Sequence, residues 1–91
     1  MIVRVHIVIE GLVQGVGFRW FVLRKAESMG LRGWVRNLYN GNVEIEAEGE
    51  RGLLETLISD VKVGPRSAQV TNLRIDWREP APDEFSNFSV R

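Results

Sequence analysis

The spacing of apolar residues changes along this chain in a fixed order, and that order limits the folds it can adopt. Residues 2–10 alternate between apolar and polar side chains, as a half-buried β-strand does. Apolar residues then recur at helical spacing over residues 18–29, and Gly30 supplies a stop signal. The spacing therefore predicts a first strand followed, after a short loop, by a first amphipathic helix.

Two β-rich runs follow the first helix. They cover residues 31–38 and 42–48 and are joined through Tyr39-Asn40-Gly41, in which Asn-Gly is a strong hairpin signal because both residue types accept positive φ. The second run alternates cleanly between apolar residues and glutamates. The sequence therefore predicts a β-hairpin, followed by a turn over residues 49–52.

The last third of the chain repeats the change from helical to strand periodicity. A second helix ends at Gly64-Pro65. Its apolar face comprises Leu54, Leu57, Ile58 and Val61. A fourth strand is predicted over residues 70–78, and Pro80 and Pro82 mark a loop before a short closing strand within residues 85–91.

The predicted order is strand, helix, strand, strand, helix, strand, with one short strand added at the end. Each strand has an apolar face, and two amphipathic helices are available to cover these faces. The pattern therefore predicts an α+β fold, a two-layer α/β sandwich of the ferredoxin-like βαββαβ type, with an antiparallel sheet covered on one face by two helices. We expect residues 1–91 to form a single domain. The open face of the sheet is expected to be charged and solvated, and it carries Arg4, His6, Glu44, Glu46, Glu48, Arg74, Asp76 and Arg78.

Composition narrows the classes of function. The 12 basic and 12 acidic residues give a formal net charge of zero, so nothing favours a nucleic acid partner. The chain has no cysteine, which excludes disulfides, thiolate metal sites and cysteine nucleophiles. His6 is the only histidine, and we expect it to be exposed and not to bind a metal. No run approaches the roughly 20 apolar residues of a membrane span, so we expect a cytoplasmic protein with no membrane partner.

A glycine-rich stretch joins the first strand to the first helix. It reads Gly-Leu-Val-Gln-Gly-Val-Gly-Phe-Arg over residues 11–19. Glycine has no Cβ and accepts positive φ, so the N–H groups of such a loop can turn inward around an anion, and the helix that follows adds its positive dipole end. Arg19 stands at the junction and can bind a phosphate or carboxylate in bidentate fashion. These features indicate a phosphate cradle, and a plain connecting loop is the structural alternative.

The loop does not match the two common nucleotide motifs. A dinucleotide fingerprint that starts at Gly15 requires a glycine where Trp20 stands. A Walker loop requires a Gly-Lys-Ser or Gly-Lys-Thr ending, which is absent. The expected ligand is therefore a small phosphorylated group and not a nucleotide.

Asn37 is the second candidate site residue. In the predicted fold, the antiparallel neighbours of the first strand can bring the Leu38 end of the second strand close to the glycine loop. A carboxamide offers both a donor and an acceptor, so Asn37 can hold a water molecule in line with a phosphate bound in that loop. A hydrogen bond at a turn or strand end is the alternative role for this residue.

These stretches together resemble the acylphosphatase family. The resemblance rests on residues 11–19, on Gly-Trp-Val-Arg-Asn over residues 33–37 and on Gly-Asn-Val-Glu over residues 41–44, and it extends over nearly all of the chain. It implies that Arg19 binds the phosphate, that Asn37 orients the attacking water, and that the loop amides cradle the phosphate. The residues that supply these amides are Gln14, Gly15, Val16, Gly17 and Phe18. Tyr39-Asn40 departs from the Pro-Asp expected in many relatives and affects only the local turn.

The resemblance further implies hydrolysis of an acyl phosphate to a carboxylate and inorganic phosphate, without a metal or other cofactor. Inorganic phosphate is then both product and inhibitor, and we expect the protein to act as a monomer. The chemistry is consistent with the residues present, because a carboxylate with an unperturbed pKa near ~4 leaves without a side-chain general acid. With no obvious protein base, a phosphate oxygen of the substrate is expected to accept the water proton.

Two other functions are compatible with the fold. A ferredoxin-like domain also serves as an RNA-recognition or small-molecule regulatory module, although the row of three glutamates on the third strand would repel RNA phosphates. An acylphosphatase-like domain can also handle carbamoyl phosphate within a larger maturation protein. The length of 91 residues leads us to expect a stand-alone enzyme instead.

Overall fold

The computed structural model describes residues 1–81 and 83–91, so Pro82, one of the two prolines expected to mark a loop, lies outside the described residues. The elements follow the predicted order. They are β1 (Ile2–Leu12), α1 (Phe18–Ser28), β2 (Arg32–Asn37), β3 (Val43–Glu50), α2 (Arg51–Val63), β4 (Gln69–Arg78) and β5 (Phe88–Val90). No helix in residues 1–81 and 83–91 is long and apolar enough to cross a membrane.

The five strands form one sheet in the order β4-β1-β3-β2-β5. β1 pairs antiparallel with both β3 and β4, and β2 pairs antiparallel with β3, so the predicted ferredoxin-like α+β fold is confirmed. The added strand β5 differs, because it lies parallel to β2 at the edge opposite β4. The chain must therefore cross the sheet between Arg78 and Phe88 before it enters β5.

The helices cover one face of the sheet and bury its apolar residues. The inward residues that alternation predicts for β1 and β3 are buried, except Val3 near the start of β1, which is partly buried. The whole predicted apolar face of α2 is buried too. Residues of this core include Val5, Ile7, Ile9, Val22, Ala26, Val35, Val43, Ile45, Leu54, Leu57, Ile58 and Val61. β4 is less well covered, because it is an edge strand: alternation along its sequence predicts Leu73, Ile75 and Trp77 on the inward side, yet Ile75 is 40% exposed.

The other face of the sheet is solvated only in part: Arg74, Asp76 and Arg78 are exposed as expected, whereas the middle of the face is buried. Arg4, Glu46 and Glu48 are only 8%, 5% and 1% exposed. The segment that leads from β4 to β5 covers Arg4 and Glu48: the Ala81 N–H donates to Glu48 Oε2 at 3.0 Å, and the centroid of the Phe85 ring lies 4.5 Å from the Arg4 guanidinium carbon. Arg4 and Glu48 tolerate burial because they are paired, with Arg4 Nη2 3.1 Å from Glu48 Oε2. Sequence periodicity gave no sign of the crossing segment.

Two local expectations also need correction. The turn predicted over residues 49–52 does not form, because β3 continues to pair with β1 as far as Glu50 and α2 begins at Arg51. The predicted hairpin is present with its three-residue loop over residues 39–41, and Leu38 N–H donates to Asn42 O at 2.8 Å. Within this described loop Gly41 has positive φ and Asn40 does not. The side chain of Asn40 instead accepts a hydrogen bond from Asn42 N–H.

Candidate active site

The loop between β1 and α1 has the backbone geometry that its glycines permit. Gly15 and Gly17 adopt φ of 72° and 78°, in the left-handed region that side chains with a Cβ disfavour. Gly17 is the N-cap residue of α1, and no described side chain caps this helix end. The first turn also contains no acidic residue. Among the described residues, the positive end of α1 thus has neither a capping side chain nor an acidic residue in its first turn, which leaves it open to an anion.

A cavity of about 180 Å³ lies at this helix end. Its lining consists of Val13, Gly15, Gly17, Phe18, Arg19, Trp20 and Asn37. The structure thus brings both candidate catalytic side chains, Arg19 and Asn37, to one cavity with three of the loop residues. The cavity is small compared with the roughly 300–1,000 Å³ of sites that bury drug-sized ligands. Its size suits a phosphate group better than a nucleotide.

Arg19 lies in the first turn of α1 and is half-buried. Its Nη1 donates a hydrogen bond to the main-chain oxygen of Arg91, which follows β5, at 3.5 Å. A guanidinium carries five N–H donors, so this single long hydrogen bond leaves most of them able to contact a ligand. An anion beside Arg19 could accept two parallel hydrogen bonds from the planar guanidinium.

Asn37 is the last residue of β2 and is half-buried. It lines the cavity at the helix end and also a second cavity of about 290 Å³, whose other lining residues are Gln14, Leu38 and Tyr39. The expected proximity of the hairpin to the loop is therefore observed, but it does not arise from pairing of the second strand with the first, as expected. β2 is not a neighbour of β1, because β3 lies between them.

The contact that joins loop and hairpin comes from Gln14. Its Nε2 donates to the main-chain oxygens of Leu38 at 2.7 Å and of Asn42 at 2.8 Å. Gln14 and Val16 are the two expected site residues that the described lining of the smaller cavity does not include. Val16 packs against the hydrophobic core instead.

Sequence reasoning missed two residues of the lining, Val13 and Trp20. Val13 is buried, whereas Trp20 is 63% exposed, although it lies on the wall of the cavity. The available signal for Trp20 was its position: an exposed aromatic residue directly after Arg19 must lie at the same helix end as the glycine loop.

His6 lies on the charged face of the sheet, outside the described lining of this cavity. It was expected to be exposed but is half-buried, with Nε2 2.7 Å from Glu44 Oε2. Burial alone would raise the pKa of Glu44, but hydrogen bonds from His6 and Arg36 outweigh it and lower that pKa. Among residues 1–81 and 83–91, no three His, Asp or Glu side chains are grouped to hold a metal ion.

Comparison with known proteins assigns the chain to a family. The family model described as Acylphosphatase matches residues 5–90. The acylphosphatase of Chlorobaculum tepidum is 51% identical over 72 residues, which are 79% of this chain and 78% of that protein. The acylphosphatase of Salinibacter ruber is 49% identical over 88 residues, 97% of this chain and 92% of that protein.

A solved structure gives the same result. The crystal structure of acylphosphatase from Bacillus subtilis matches with a TM-score of 0.92 and 36% identity, over 100% of this chain and 99% of that one. The chain therefore belongs to the acylphosphatase family. It is an enzyme, a hydrolase that acts on acyl phosphates.

Proposed function

We propose that this enzyme hydrolyses an acyl phosphate to a carboxylate and inorganic phosphate without a metal ion. In this proposal Arg19 and the loop over residues 14–18 hold the phosphate, and Asn37 orients the attacking water. The observation that carries the proposal is the cavity of about 180 Å³, which Arg19, Asn37 and two loop glycines line together. Family membership supports the class of reaction, and this shared cavity supports the roles of the residues.

Arg19 and the start of α1 supply the phosphate-binding step. The phosphoryl oxygens accept hydrogen bonds from the Arg19 guanidinium, from the loop amides and from the uncapped N–H groups of the helix. In phosphoryl transfer, charge spreads over the equatorial oxygens, so these donors stabilise the transition state as well as the bound substrate. An Arg19 contact is thus expected to affect both binding and turnover.

Asn37 supplies the water-positioning step. Its carboxamide oxygen accepts a hydrogen bond from a water molecule placed in line with the phosphorus and the acyl oxygen. The water oxygen forms the new bond to phosphorus, and the bond between phosphorus and the acyl oxygen breaks. The electron pair of that bond leaves with the carboxylate, and the water proton passes to a phosphoryl oxygen. The described lining of the cavity contains no Asp, Glu or His to accept that proton instead.

The remaining expectations belong to the same proposal. We propose that residues 1–91 act as one acylphosphatase-like domain, as a monomer and in the cytoplasm, with inorganic phosphate as product and competitive inhibitor. Light scattering coupled to size-exclusion chromatography gives the molar mass in solution and so tests whether the protein is a monomer. Competition between inorganic phosphate and substrate tests whether product and substrate share one cradle.

Kinetics of two arginine variants test the assignment of Arg19. Arg19→Ala is expected to lose nearly all hydrolysis of benzoyl phosphate and to lose measurable affinity for inorganic phosphate. Arg24→Ala is the matched control, since Arg24 is exposed on the same helix and outside the described lining of the cavity. Normal turnover by folded Arg19→Ala would contradict the proposal. Retained phosphate binding by a wild-type protein without turnover would identify a phosphate-binding module instead.

A further inference from the structure

The side chain of Gln14 donates its hydrogen bonds to the β2–β3 hairpin and leaves none for a substrate. Both hydrogen bonds use its amide nitrogen, and both acceptors, Leu38 O and Asn42 O, flank the β2–β3 loop. These acceptors are 24 and 28 residues away in sequence. A carboxamide nitrogen has two N–H donors, so this one is fully used in linking the glycine loop to the hairpin.

The acceptors also belong to the hydrogen bonds that close the hairpin. Leu38 O accepts from Gly41 N–H at 3.2 Å, and Asn42 O accepts from Leu38 N–H at 2.8 Å. Each oxygen has two lone pairs, so the Gln14 amide completes the hydrogen bonding of both. Asn37 directly precedes Leu38, so whatever fixes Leu38 also fixes Asn37.

We propose that Gln14 is a positioning residue that holds the phosphate loop against the β2–β3 hairpin and thereby sets the distance from the bound phosphate to the water on Asn37. This inference rests on the proposed roles of Arg19 and Asn37. The sheet order makes such a link necessary, because β3 separates β1, which leads into the loop, from β2, which carries Asn37. Loss of the Gln14 amide would remove both hydrogen bonds that it donates from the loop to the hairpin.

The proposal predicts a separation of binding from turnover. The phosphate cradle is anchored independently of Gln14, by β1 at one end and α1 at the other, so phosphate affinity survives its loss. The water and the phosphorus lose their alignment, and misplacement by about 1 Å lowers rates by roughly 10²-fold. For Gln14→Met, similar in length but without N–H donors, we expect kcat to fall about 10- to 100-fold. KM for benzoyl phosphate and the inhibition constant of inorganic phosphate should stay within about threefold.

Asn40→Ala provides a matched control. Asn40 also stabilises the hairpin, through its Oδ1 and Asn42 N–H at 3.1 Å, but this hydrogen bond lies within the hairpin and does not reach the glycine loop. We expect Asn40→Ala to keep kcat within about twofold of wild type. Gln14→Asn, which keeps the carboxamide but is one methylene too short to reach both oxygens, replaces Gln14→Met if the latter does not fold.

A double-mutant cycle with Asn37→Ala decides how Gln14 acts. If Gln14 acts through Asn37, adding Gln14→Met to Asn37→Ala lowers kcat by less than about threefold. Fully additive losses, an unchanged kcat in both folded Gln14 variants, or an equal loss of phosphate affinity and kcat would overturn the proposal. The single Asn37→Ala variant reports separately on the proposed function: if it retains wild-type kcat, the role of Asn37 fails, whatever Gln14 does.

Discussion

Replacement of Gly15 by alanine tests whether the conformation of the loop creates the phosphate site. Gly15 has φ of 72°, and no described atom lies within 4 Å of a Cβ added there. The substitution therefore introduces backbone strain without a clash. Gly30, after α1, offers the same situation away from the cavity, with φ of 68° and no described atom within 4 Å of an added Cβ. Gly30→Ala is thus the control for strain alone.

The expected loss of stability is the same in both variants. A residue with a Cβ in the left-handed region costs about 1–2 kcal/mol. In a domain of this length, each kcal/mol lowers the melting temperature by roughly 4–8 °C, so both proteins should melt about 4–16 °C below wild type. Thermal unfolding followed by circular dichroism measures this shift.

The two variants should differ in the affinity for phosphate. Relief of the strain at Gly15 turns the loop N–H groups away from the cavity, and one hydrogen bond to a charged ligand contributes about 1.5–3 kcal/mol. Since 1.36 kcal/mol is tenfold, Gly15→Ala should bind inorganic phosphate roughly 10- to 150-fold more weakly, whereas Gly30→Ala should bind it as wild type does. Isothermal titration calorimetry distinguishes the variants. Equal phosphate affinity in both would refute the cradle.

Three further changes have expected outcomes of different kinds. Asn37→Ala should lower kcat for benzoyl phosphate about 10- to 100-fold while the inhibition constant of phosphate stays within threefold, and a larger change in the inhibition constant would contradict its role. Burial raises the pKa of Glu46 despite Arg78, and its Oε2 has no described hydrogen-bond partner, so its charge destabilises the fold above that pKa. Glu46→Gln should therefore raise the free energy of unfolding by about 1 kcal/mol at pH 7, and this gain should be lost near pH 3. A variant less stable than wild type at pH 7 would show that the Glu46 charge stabilises the fold instead. The charge of Glu44 has the opposite effect on stability, because the pKa of Glu44 is lowered in the folded protein. Its contribution to stability is present above the unfolded pKa and is lost as pH falls through the folded pKa. In urea titrations, Glu44→Gln should therefore destabilise the protein at pH 7 and destabilise it less at pH 3.

The elements with one apolar face were predictable because periodicity depends only on local sequence. The alternation in β1 and the helical spacing in α2 identified buried residues correctly, since each element packs one face against the same core. The charged face was not predictable in this way. The burial of Arg4 and Glu48 on that face depends on the segment between Arg78 and Phe88, which has no repeating pattern in the sequence. The parallel pairing of β5 depends on the same crossing.

The site was predictable to a similar extent. Glycines at positions 15 and 17 indicated positive φ, and both have it, because few other residues accept that conformation. The approach of Asn37 was expected from the fold class, but the residue that makes the contact was not. The Gln14 side chain finds acceptors 24 and 28 residues away, and such long-range hydrogen bonds leave no local signal in the sequence.

Hydrolysis of benzoyl phosphate in H₂¹⁸O with excess EDTA tests the central claim most directly. Water attack on the phosphorus, with the phosphate held by Arg19 and the glycine loop, predicts turnover that EDTA does not reduce and one ¹⁸O atom in the inorganic phosphate, with none in the benzoate. Turnover abolished by EDTA and restored by a metal ion, or label in the benzoate, would contradict the mechanism.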